Sequence, residues 1–305
     1  MAVTIGIDLG GSRIKGGIIE QDGTLRNSMM AKTRISFGYD ALVTQLAELI
    51  EQLRFCAKDR LEGIGIGIPG LIDNNSFKVI NSQNIDILDG HAVASDLTRK
   101  TGLPVVMSND ADCMAIGEGL SGAAKDVKHY IAVTLGTGVG GAIVSNGVLI
   151  QGVNGGGGEI GHMSIDMNGP ECSCGALGCL EAYIGREGIR HYVKASYPKL
   201  VDTSLKKLCE MAIKGNESAA NIYWHIGHYL GIGLASLVNI FNPQIIVVGG
   251  GIAGAGDLLL KPLENELKLR ALNSYAENIE VRAAELGNWA GVVGAGSLAW
   301  KNRAS

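Results

Sequence analysis

The sequence contains little proline and has no excess of positive charge, and each shortage excludes a class of protein. Proline accounts for 6 of 305 residues, whereas glycine accounts for 45 and hydrophobic residues for 46%. Disordered chains combine abundant glycine with abundant proline and few apolar residues, so disorder is excluded. A net charge of −4 provides no basic surface for nucleic acid or for an anionic membrane. The chain is therefore expected to be globular, with many tight turns.

The sequence also lacks a secretory signal and an unbroken hydrophobic segment. An Asp and paired glycines interrupt its start, MAVTIGIDLGG, before an apolar region is complete. Residues 226–256 carry no charge apart from His228, but Asn239, Asn242 and Pro243 break this stretch, which predicts a buried helix and strand instead of a membrane span. Six cysteines without a secretory signal indicate a reducing compartment, in which clustered thiols bind metal or act in catalysis. The protein is expected to be soluble and cytoplasmic.

Residues 4–25 and 130–150 share one pattern. Each has a β-branched run, a Leu-Gly turn, a second apolar run and then a hairpin signal, Asp22-Gly23 or Asn146-Gly147. Both central residues of such a turn are expected to have positive φ. Chance resemblance between glycine-rich hairpins is the alternative, but the features follow the same order throughout. The pattern therefore favours two lobes of the same design.

The other segments alternate between helical and strand patterns. The predicted helices are 40–58, beginning at an Asp40 cap, and 111–120, 218–241, 257–271 and 291–300; the predicted strands are 61–68, 105–108 and 245–248. Strands that alternate with helices, and glycine turns at strand ends, predict an α/β fold with ligands at those turns. The expected lobes are 1–115, completed by 291–305, and 116–290.

Three glycine clusters are candidates for phosphate binding. They are Gly10-Gly11 with Ser12, Gly136-Thr137-Gly138 with Gly140-Gly141, and Gly249-Gly250-Gly251. Backbones without Cβ atoms can direct several amides at an oxyanion, although any one cluster can also be a plain tight turn. The first two match neither the P-loop nor the dinucleotide fingerprint. Two hairpins with hydroxyls at Ser12 and Thr137 favour a phosphate clamp, and Asp8 suits a water-mediated contact with Mg²⁺.

A compact set of cysteines follows one histidine. His162 precedes Cys172, Cys174 and Cys179. One His and three Cys complete the tetrahedral ligand set of a closed structural zinc site. The alternative is a group of ordinary thiols and a core histidine, and a catalytic zinc is disfavoured because no position is left for water. The other three cysteines are isolated on helical patterns and are expected to be core residues.

Asn109 and Asp110 stand where a strand ends and a helix begins. A helix cap is the plain interpretation of Asp110. Phosphorylation of a sugar, however, needs a carboxylate that accepts the proton of an alcohol. Asp112 and Glu118 compete for this role, but Glu118 is expected to be solvated. Three more polar residues, each also interpretable as an ordinary surface group, are candidates to bind a polyhydroxyl ligand: Asn84, Glu159 and Glu181.

Over nearly its whole length the chain resembles the ROK sugar kinases. The matching motifs are IGIDLGGSRIKGG, GIGIPG, SNDAD, LGTGVGGAI, GGEIGH, CSCGALGCLE and VVGGGI. The pair GEIGH and CxCGxxGCxE is highly specific, whereas single glycine motifs are weak. The resemblance implies the two-lobed α/β fold of the actin/hexokinase/Hsp70-like (duplicated ribonuclease H-like) group, with a cleft between the lobes and a structural zinc loop.

The resemblance further implies an ATP-dependent hexose kinase, with Asp110 as the general base. Zinc is assigned to His162, Cys172, Cys174 and Cys179. The nucleotide, with Mg²⁺, is assigned to Asp8, Gly10, Gly11, Ser12, Arg13, Thr134, Gly136, Thr137 and Gly138 at its phosphates and to Gly250 and Gly251 at its adenosine. The sugar is assigned to Gly70, Asn84, Asn109, Asp110, Glu159, His162 and Glu181.

Departures from the family pattern leave the sugar open. Family glucokinases commonly have Pro-Asn-Leu followed by Trp, whereas the corresponding stretch here, NSQNIDILDG, has Gln83-Asn84-Ile85 and contains no Trp. Glucose, giving glucose 6-phosphate, is the first candidate; N-acetylmannosamine, N-acetylglucosamine, allose and fructose are the others. A homo-oligomer, either dimer or tetramer, is also expected.

Other functions within this structural group are alternatives. ROK repressors carry an added helix-turn-helix domain, which is not expected here because the first strand begins by Val3. A catalytically silent sugar-binding or regulatory protein is a further alternative, against which Asp110 and both glycine turns argue. An Hsp70-like or actin-like ATPase would not account for the metal loop beside Glu159 and Glu181.

Overall fold

The computed structural model describes residues 1–82 and 84–301. Gln83 and the last four residues of the expected segment 291–305 therefore lie outside the described residues. The chain divides into two compact units. Unit 1 comprises Met1–Asp126, Leu149–Gly157 and the chain from Glu285 onwards; unit 2 comprises Val127–Val148 and Gly158–Ala284.

Strands and helices are numbered in chain order within the described residues. The strands are β1 (Ala2–Leu9), β2 (Arg13–Ile19), β3 (Leu25–Lys32), β4 (Arg60–Ile68), β5 (Leu71–Asp73), β6 (Lys78–Asn81), β7 (Val105–Asn109), β8 (Tyr130–Leu135), β9 (Val139–Ser145), β10 (Val148–Leu149), β11 (Ile245–Gly249) and β12 (Glu280–Ala283). The helices are α1 (Tyr39–Cys56), α2 (Val93–Thr101), α3 (Asp110–Ser121), α4 (Leu180–Ile184), α5 (Arg186–Ser196), α6 (Leu205–Ile213), α7 (Glu217–Phe241), α8 (Asp257–Arg270), α9 (Asn273–Ala276) and α10 (Ala290–Lys301).

Unit 1 is built on a five-stranded sheet in the order β3-β2-β1-β4-β7. Strands β1, β4 and β7 run parallel, while β2 and β3 form an antiparallel meander with β1. Side chains alternate across a strand, and the isoleucines of β1 and β4 join one core with the apolar stripe of α1. The stripe was predicted, but the Asp40 cap was wrong: Gly38 is the N-cap, and Asp40 lies in the first turn, where its charge suits the helix dipole.

Unit 2 repeats this design with a sheet in the order β10-β9-β8-β11-β12. Strands β8, β11 and β12 are parallel, and β8 and β9 form the antiparallel hairpin. The predicted duplication is therefore confirmed. Asn146 (φ 52°) and Gly147 (φ 75°) adopt the predicted turn, but in the first repeat only Gly23 has positive φ. There Asp22 accepts a hydrogen bond from the Thr24 amide at 2.9 Å, which closes a longer turn.

The other face of the unit 1 sheet contacts α10 backbone to backbone. A Cβ on Gly6 would lie 1.9 Å from the Val292 carbonyl oxygen, and one on Gly65 would lie 1.7 Å from that of Ala295. Because every second residue of β4 from 63 to 67 is glycine, this face can accept a helix directly. In turn, Gly294 of α10 lies against the backbone of α3. The late helix is therefore an integral layer of unit 1.

Glu118 is completely buried, so the prediction that it is solvated was wrong. Its carboxylate accepts hydrogen bonds from the amides of Ala123 at 2.8 Å, Glu285 at 3.1 Å and Leu286 at 2.9 Å. Ala123 lies near the point where the chain leaves unit 1, and Glu285 is where it returns. Backbone donors thus replace the water that the carboxylate loses on burial.

The long apolar helix of unit 2 is α7, which packs on α8 as a core element. A Cβ on Gly227 would lie 2.3 Å from the carbonyl oxygen of Leu259, so the two helices approach closely. The prediction of a buried helix followed by a buried strand is confirmed by α7 and β11. Within residues 1–82 and 84–301, no helix has both the length and the apolar character needed to cross a membrane.

Replacing Gly65 with alanine is expected to lower the free energy of unfolding by at least about 2 kcal/mol, because the added methyl overlaps backbone that cannot rotate away. Gly254→Ala is the matched control, since a Cβ there meets nothing within 4 Å and its φ is not positive. Urea denaturation of both variants measures the difference. Equal stability of Gly65→Ala and the parent would contradict the described contact with α10.

Candidate phosphate, sugar and metal sites

In unit 1, the carboxyl ends of three parallel strands meet at one edge of the sheet. Asp8 of β1 is paired with Gly67 of β4, and Gly67 is paired with Ser108 of β7. Asp110 follows β7 directly, and its Cα is 3.6 Å from the position that a Cβ on Gly67 would take. Ligands of open α/β sheets bind at this kind of edge.

Asn109, not Asp110, is the N-cap of α3. The Asn109 side-chain oxygen accepts hydrogen bonds from the amides of Ala111 at 2.8 Å and Asp112 at 3.3 Å. Its amide group donates to the Gly70 carbonyl at 3.0 Å, which joins two of the expected sugar residues. Asp110 is half-buried in the first turn, and one of its oxygens accepts from the Ala111 amide at 3.0 Å. The cap therefore orients the strand-to-helix junction that carries the Asp110 carboxylate.

The first glycine turn, residues 10–12, is exposed beyond Gly10. Its ends are fixed by a hydrogen bond from the Gly10 amide to the Arg13 carbonyl at 3.0 Å and by one from the Thr33 hydroxyl to the Gly10 carbonyl at 2.6 Å. Asn84 lies beside the turn, since a Cβ on Gly11 would be 3.3 Å from the Asn84 carbonyl oxygen. A rigid base thus supports accessible backbone amides.

Asp8 is paired with a lysine inside unit 1. Lys15 Nζ lies 2.8 Å from Asp8 Oδ2, and both side chains are about four-fifths buried. Arg13, by contrast, is exposed and directs one guanidinium nitrogen at the Met30 sulfur. Lys15 therefore places a fixed positive charge at the carboxyl edge of the sheet, next to the carboxylate expected to face Mg²⁺.

In unit 2, the second glycine turn, residues 136–138, lies next to the third glycine cluster. Thr134 of β8 is paired with Gly249 of β11. Gly250 has φ 86°, and a Cβ there would lie 2.2 Å from the Leu135 carbonyl oxygen. Gly136, Thr137 and the pair Gly250-Gly251 are all exposed. The two clusters assigned to phosphates and to adenosine therefore share one edge of the sheet.

The ligand atoms of His162, Cys172, Cys174 and Cys179 all lie within 4.8 Å of one another. Cys172 Sγ is 3.7 Å from His162 Nδ1, and the Cys174 and Cys179 sulfurs are also 3.7 Å apart. The Ala176 amide lowers the pKa of Cys174, whereas burial raises the pKa of Cys179 to about 12. The cluster can therefore hold a metal ion, and one histidine nitrogen with three cysteine sulfurs is a donor set that fits zinc.

Glu181 lies in the first turn of α4, two residues after Cys179 of the cluster. Its Oε2 accepts the amide of Val139 at 2.8 Å, and its Oε1 accepts the hydroxyl of Ser173 at 3.3 Å. Glu159 is exposed and precedes the short 3-10 helix Ile160–His162. Both acids thus flank elements that carry members of the Cys/His cluster.

Sequence reasoning missed Ser173 and Val139. Nothing in the sequence shows which partner the hydroxyl of a serine between two cysteines will contact. The amide of Val139 is a backbone group, and the sequence shows only that it follows a glycine turn. The described geometry brings together the predicted residues within each unit: Gly11 with Asn84 and Asn109 with Gly70 in unit 1. In unit 2 it joins Thr134 to the third glycine cluster and completes the metal cluster.

Comparison with known proteins agrees with these features. Residues 4–302 match the model of the ROK family. A glucokinase from Halalkalibacterium halodurans is 36% identical, covering 96% of this chain and 94% of its own. A xylose repressor from Bacillus subtilis is 31% identical over 97% of this chain and 76% of its own length.

The fold also matches solved structures. A ROK family glucokinase from Streptomyces griseus, solved in complex with glucose and AMPPNP, superposes with a TM-score of 0.86 at 29% identity, covering 98% of this chain and 99% of its own. The predicted α/β fold, with its duplicated design and its Cys/His loop, is therefore confirmed. Together with the match along residues 4–302, these relatives establish that the chain belongs to the ROK family.

Proposed function

We propose that the chain is an ATP-dependent sugar kinase that transfers the γ-phosphoryl group to a hexose hydroxyl, with the 6-hydroxyl of glucose as the first candidate. The observation that carries the proposal is the placement of Asp110 at the same sheet edge as Asp8 and the first glycine turn. The glucokinase relatives support it. A cytoplasmic location and a homo-oligomeric state, dimer or tetramer, remain parts of this proposal.

Asp110 would accept the proton of the sugar hydroxyl as the bond to phosphorus forms. A general base needs a carboxylate held in one orientation, and the Asn109 cap supports that orientation through α3. Gly70, Asn84, Glu159, His162 and Glu181 would bind the other sugar hydroxyls. Phosphoryl transfer requires positioning and charge neutralisation more than covalent chemistry by the protein.

The exposed amides of the two glycine turns would bind phosphate oxygens. Arg13 and Lys15 would add positive charge, and Gly250-Gly251 would contact adenosine. Asp8 would hold Mg²⁺ through water, because that ion prefers oxygen ligands and retains several waters. When bound, Mg²⁺ neutralises negative charge on the phosphates.

Zinc is the metal proposed for the cluster of His162, Cys172, Cys174 and Cys179. With four protein ligands the site has no open position, so the metal would serve a structural purpose. His162 Nδ1 faces the Cys172 sulfur, which leaves Nε2 for a sugar hydroxyl. The metal would thereby orient a sugar-binding side chain.

A regulatory sugar-binding protein is the second candidate, because xylose repressors match 97% of this chain. Such a protein would bind a sugar without phosphorylating it. A panel of glucose, N-acetylmannosamine, N-acetylglucosamine, allose and fructose, assayed with ATP by coupled ADP release, separates the two. Turnover of one hexose supports the kinase; sugar binding by calorimetry without any ADP release would favour the regulator.

Asp110→Asn is expected to lower kcat by at least about 10²-fold, the usual contribution of a positioned base. The amide is nearly isosteric, so sugar affinity should change little. Asp40→Asn, at an exposed position in the first turn of α1, serves as the control and should keep full activity. Near-normal kcat in Asp110→Asn would refute the base assignment.

Cys174→Ser is expected to lose bound zinc, to lower thermal stability and to weaken sugar binding together, because a structural zinc contributes folding free energy directly. Elemental analysis of purified protein measures the zinc content, with Cys56→Ser as the control because Cys56 lies outside the cluster. Unchanged zinc content in Cys174→Ser would rule out its role as a ligand.

A further inference from the structure

Two ligands of the metal cluster belong to elements that pack on the second glycine turn. His162 ends the short 3-10 helix, whose Gly161 approaches so closely that a Cβ there would lie 2.1 Å from the Val139 carbonyl oxygen. Cys179 is the residue before α4, and the α4 residue Glu181 accepts the Val139 amide at 2.8 Å. The segment that would bind phosphate is thus supported by metal-binding elements.

The Glu181 carboxylate joins the two sites directly. A Cβ on Gly138 would lie 2.3 Å from Glu181 Oε2, so the carboxylate lies against the backbone of the turn. Its other oxygen accepts the hydroxyl of Ser173, the residue between the ligands Cys172 and Cys174. One charged group therefore contacts the glycine turn with one oxygen and the metal loop with the other.

The tip of the metal loop, residues 173–177, is exposed. Its backbone is closed by a hydrogen bond from the Cys172 amide to the Ala176 carbonyl at 2.8 Å and by the bridge between Glu171 and Leu177. A cation bound by four side chains would restrict such a loop strongly. Because Ser173 stands between two cysteines of the cluster, metal binding would restrict its position and, with it, the hydrogen bond to Glu181.

We propose that metal binding and nucleotide binding are linked through Glu181, so that each raises the affinity for the other. Glu181 acts here as a positioning residue: with Ser173 in place, its carboxylate holds the Val139 peptide and fixes the amides of the turn before a phosphate arrives. This inference rests on the proposed function, because it takes the second glycine turn as a nucleotide-binding element. The linkage must be reciprocal.

The test uses wild-type protein loaded with zinc. Its zinc affinity is measured by competition with a chromogenic chelator, with and without saturating AMPPNP. We expect AMPPNP to raise zinc affinity by about fivefold or more, the lower end of typical coupling. Calorimetry should find AMPPNP binding weakened by the same factor after zinc is removed. AMPPNP binds some zinc itself, but equally in all samples, so comparison between variants cancels this contribution.

Three variants locate the linkage while leaving every metal ligand in place. Ser173→Ala removes the hydroxyl that reaches Glu181. It should bring the ratio of the zinc affinities measured with and without AMPPNP close to one. Ser173→Thr retains a hydroxyl and should restore the ratio. Ser164→Ala is the matched control, because the Ser164 hydroxyl supports the same loop by donating to the Leu177 carbonyl at 3.0 Å. It should keep the wild-type ratio.

The possible failures are distinguishable. If AMPPNP binds but zinc affinity does not change, the linkage is wrong and the proposed kinase stands. An equal loss of coupling in Ser173→Ala and Ser164→Ala would also overturn the inference, because it would indicate general loosening of the loop. If the zinc-loaded protein binds no AMPPNP at all, both the inference and the proposed function fail.

Discussion

Direct contact between backbones, permitted only where a side chain is missing, is the constraint on which both units depend. In unit 1, Gly6 and Gly65 allow α10 to lie on the sheet at distances that any Cβ would prevent. In unit 2, Gly161 brings the turn carrying His162 onto β9. The unusual glycine content therefore has a packing function as well as a role in turns, and it fixes where the candidate site residues stand.

Polar side chains also hold backbone segments in place. Glu118 and Glu181 accept backbone amides of a different segment, and Asn109 accepts two amides of its own helix and donates to the Gly70 carbonyl. A carboxylate or amide that accepts two or three backbone donors is well satisfied when shielded from water, and it orders the segments that supply those donors. Hydrogen bonds from side chains to backbone, which are short and directional, thus help to set positions around the candidate sites.

Much of this arrangement could be predicted from the sequence. The duplicated hairpins, the apolar stripe of α1 and the Cys/His cluster depend on local spacing, which a sequence displays. What could not be predicted depends on distant partners. Glu118 was expected to be solvated because its partners Glu285 and Leu286 lie far along the chain, and Ser173 could not be connected to Glu181 because its loop has no regular structure. The expected lobe boundaries and the individual roles of the site residues remain predictions.

The position of α10 has a consequence for biosynthesis. A nascent chain emerges from the ribosome with β1 and β4 first, yet the helix that covers one face of them is made more than two hundred residues later. Throughout translation that face of the sheet is uncovered, and an exposed apolar surface would promote aggregation. Here the face presents Thr4, Gly6 and the alternating glycines of β4. These residues provide little apolar surface for a chaperone or another nascent chain to bind.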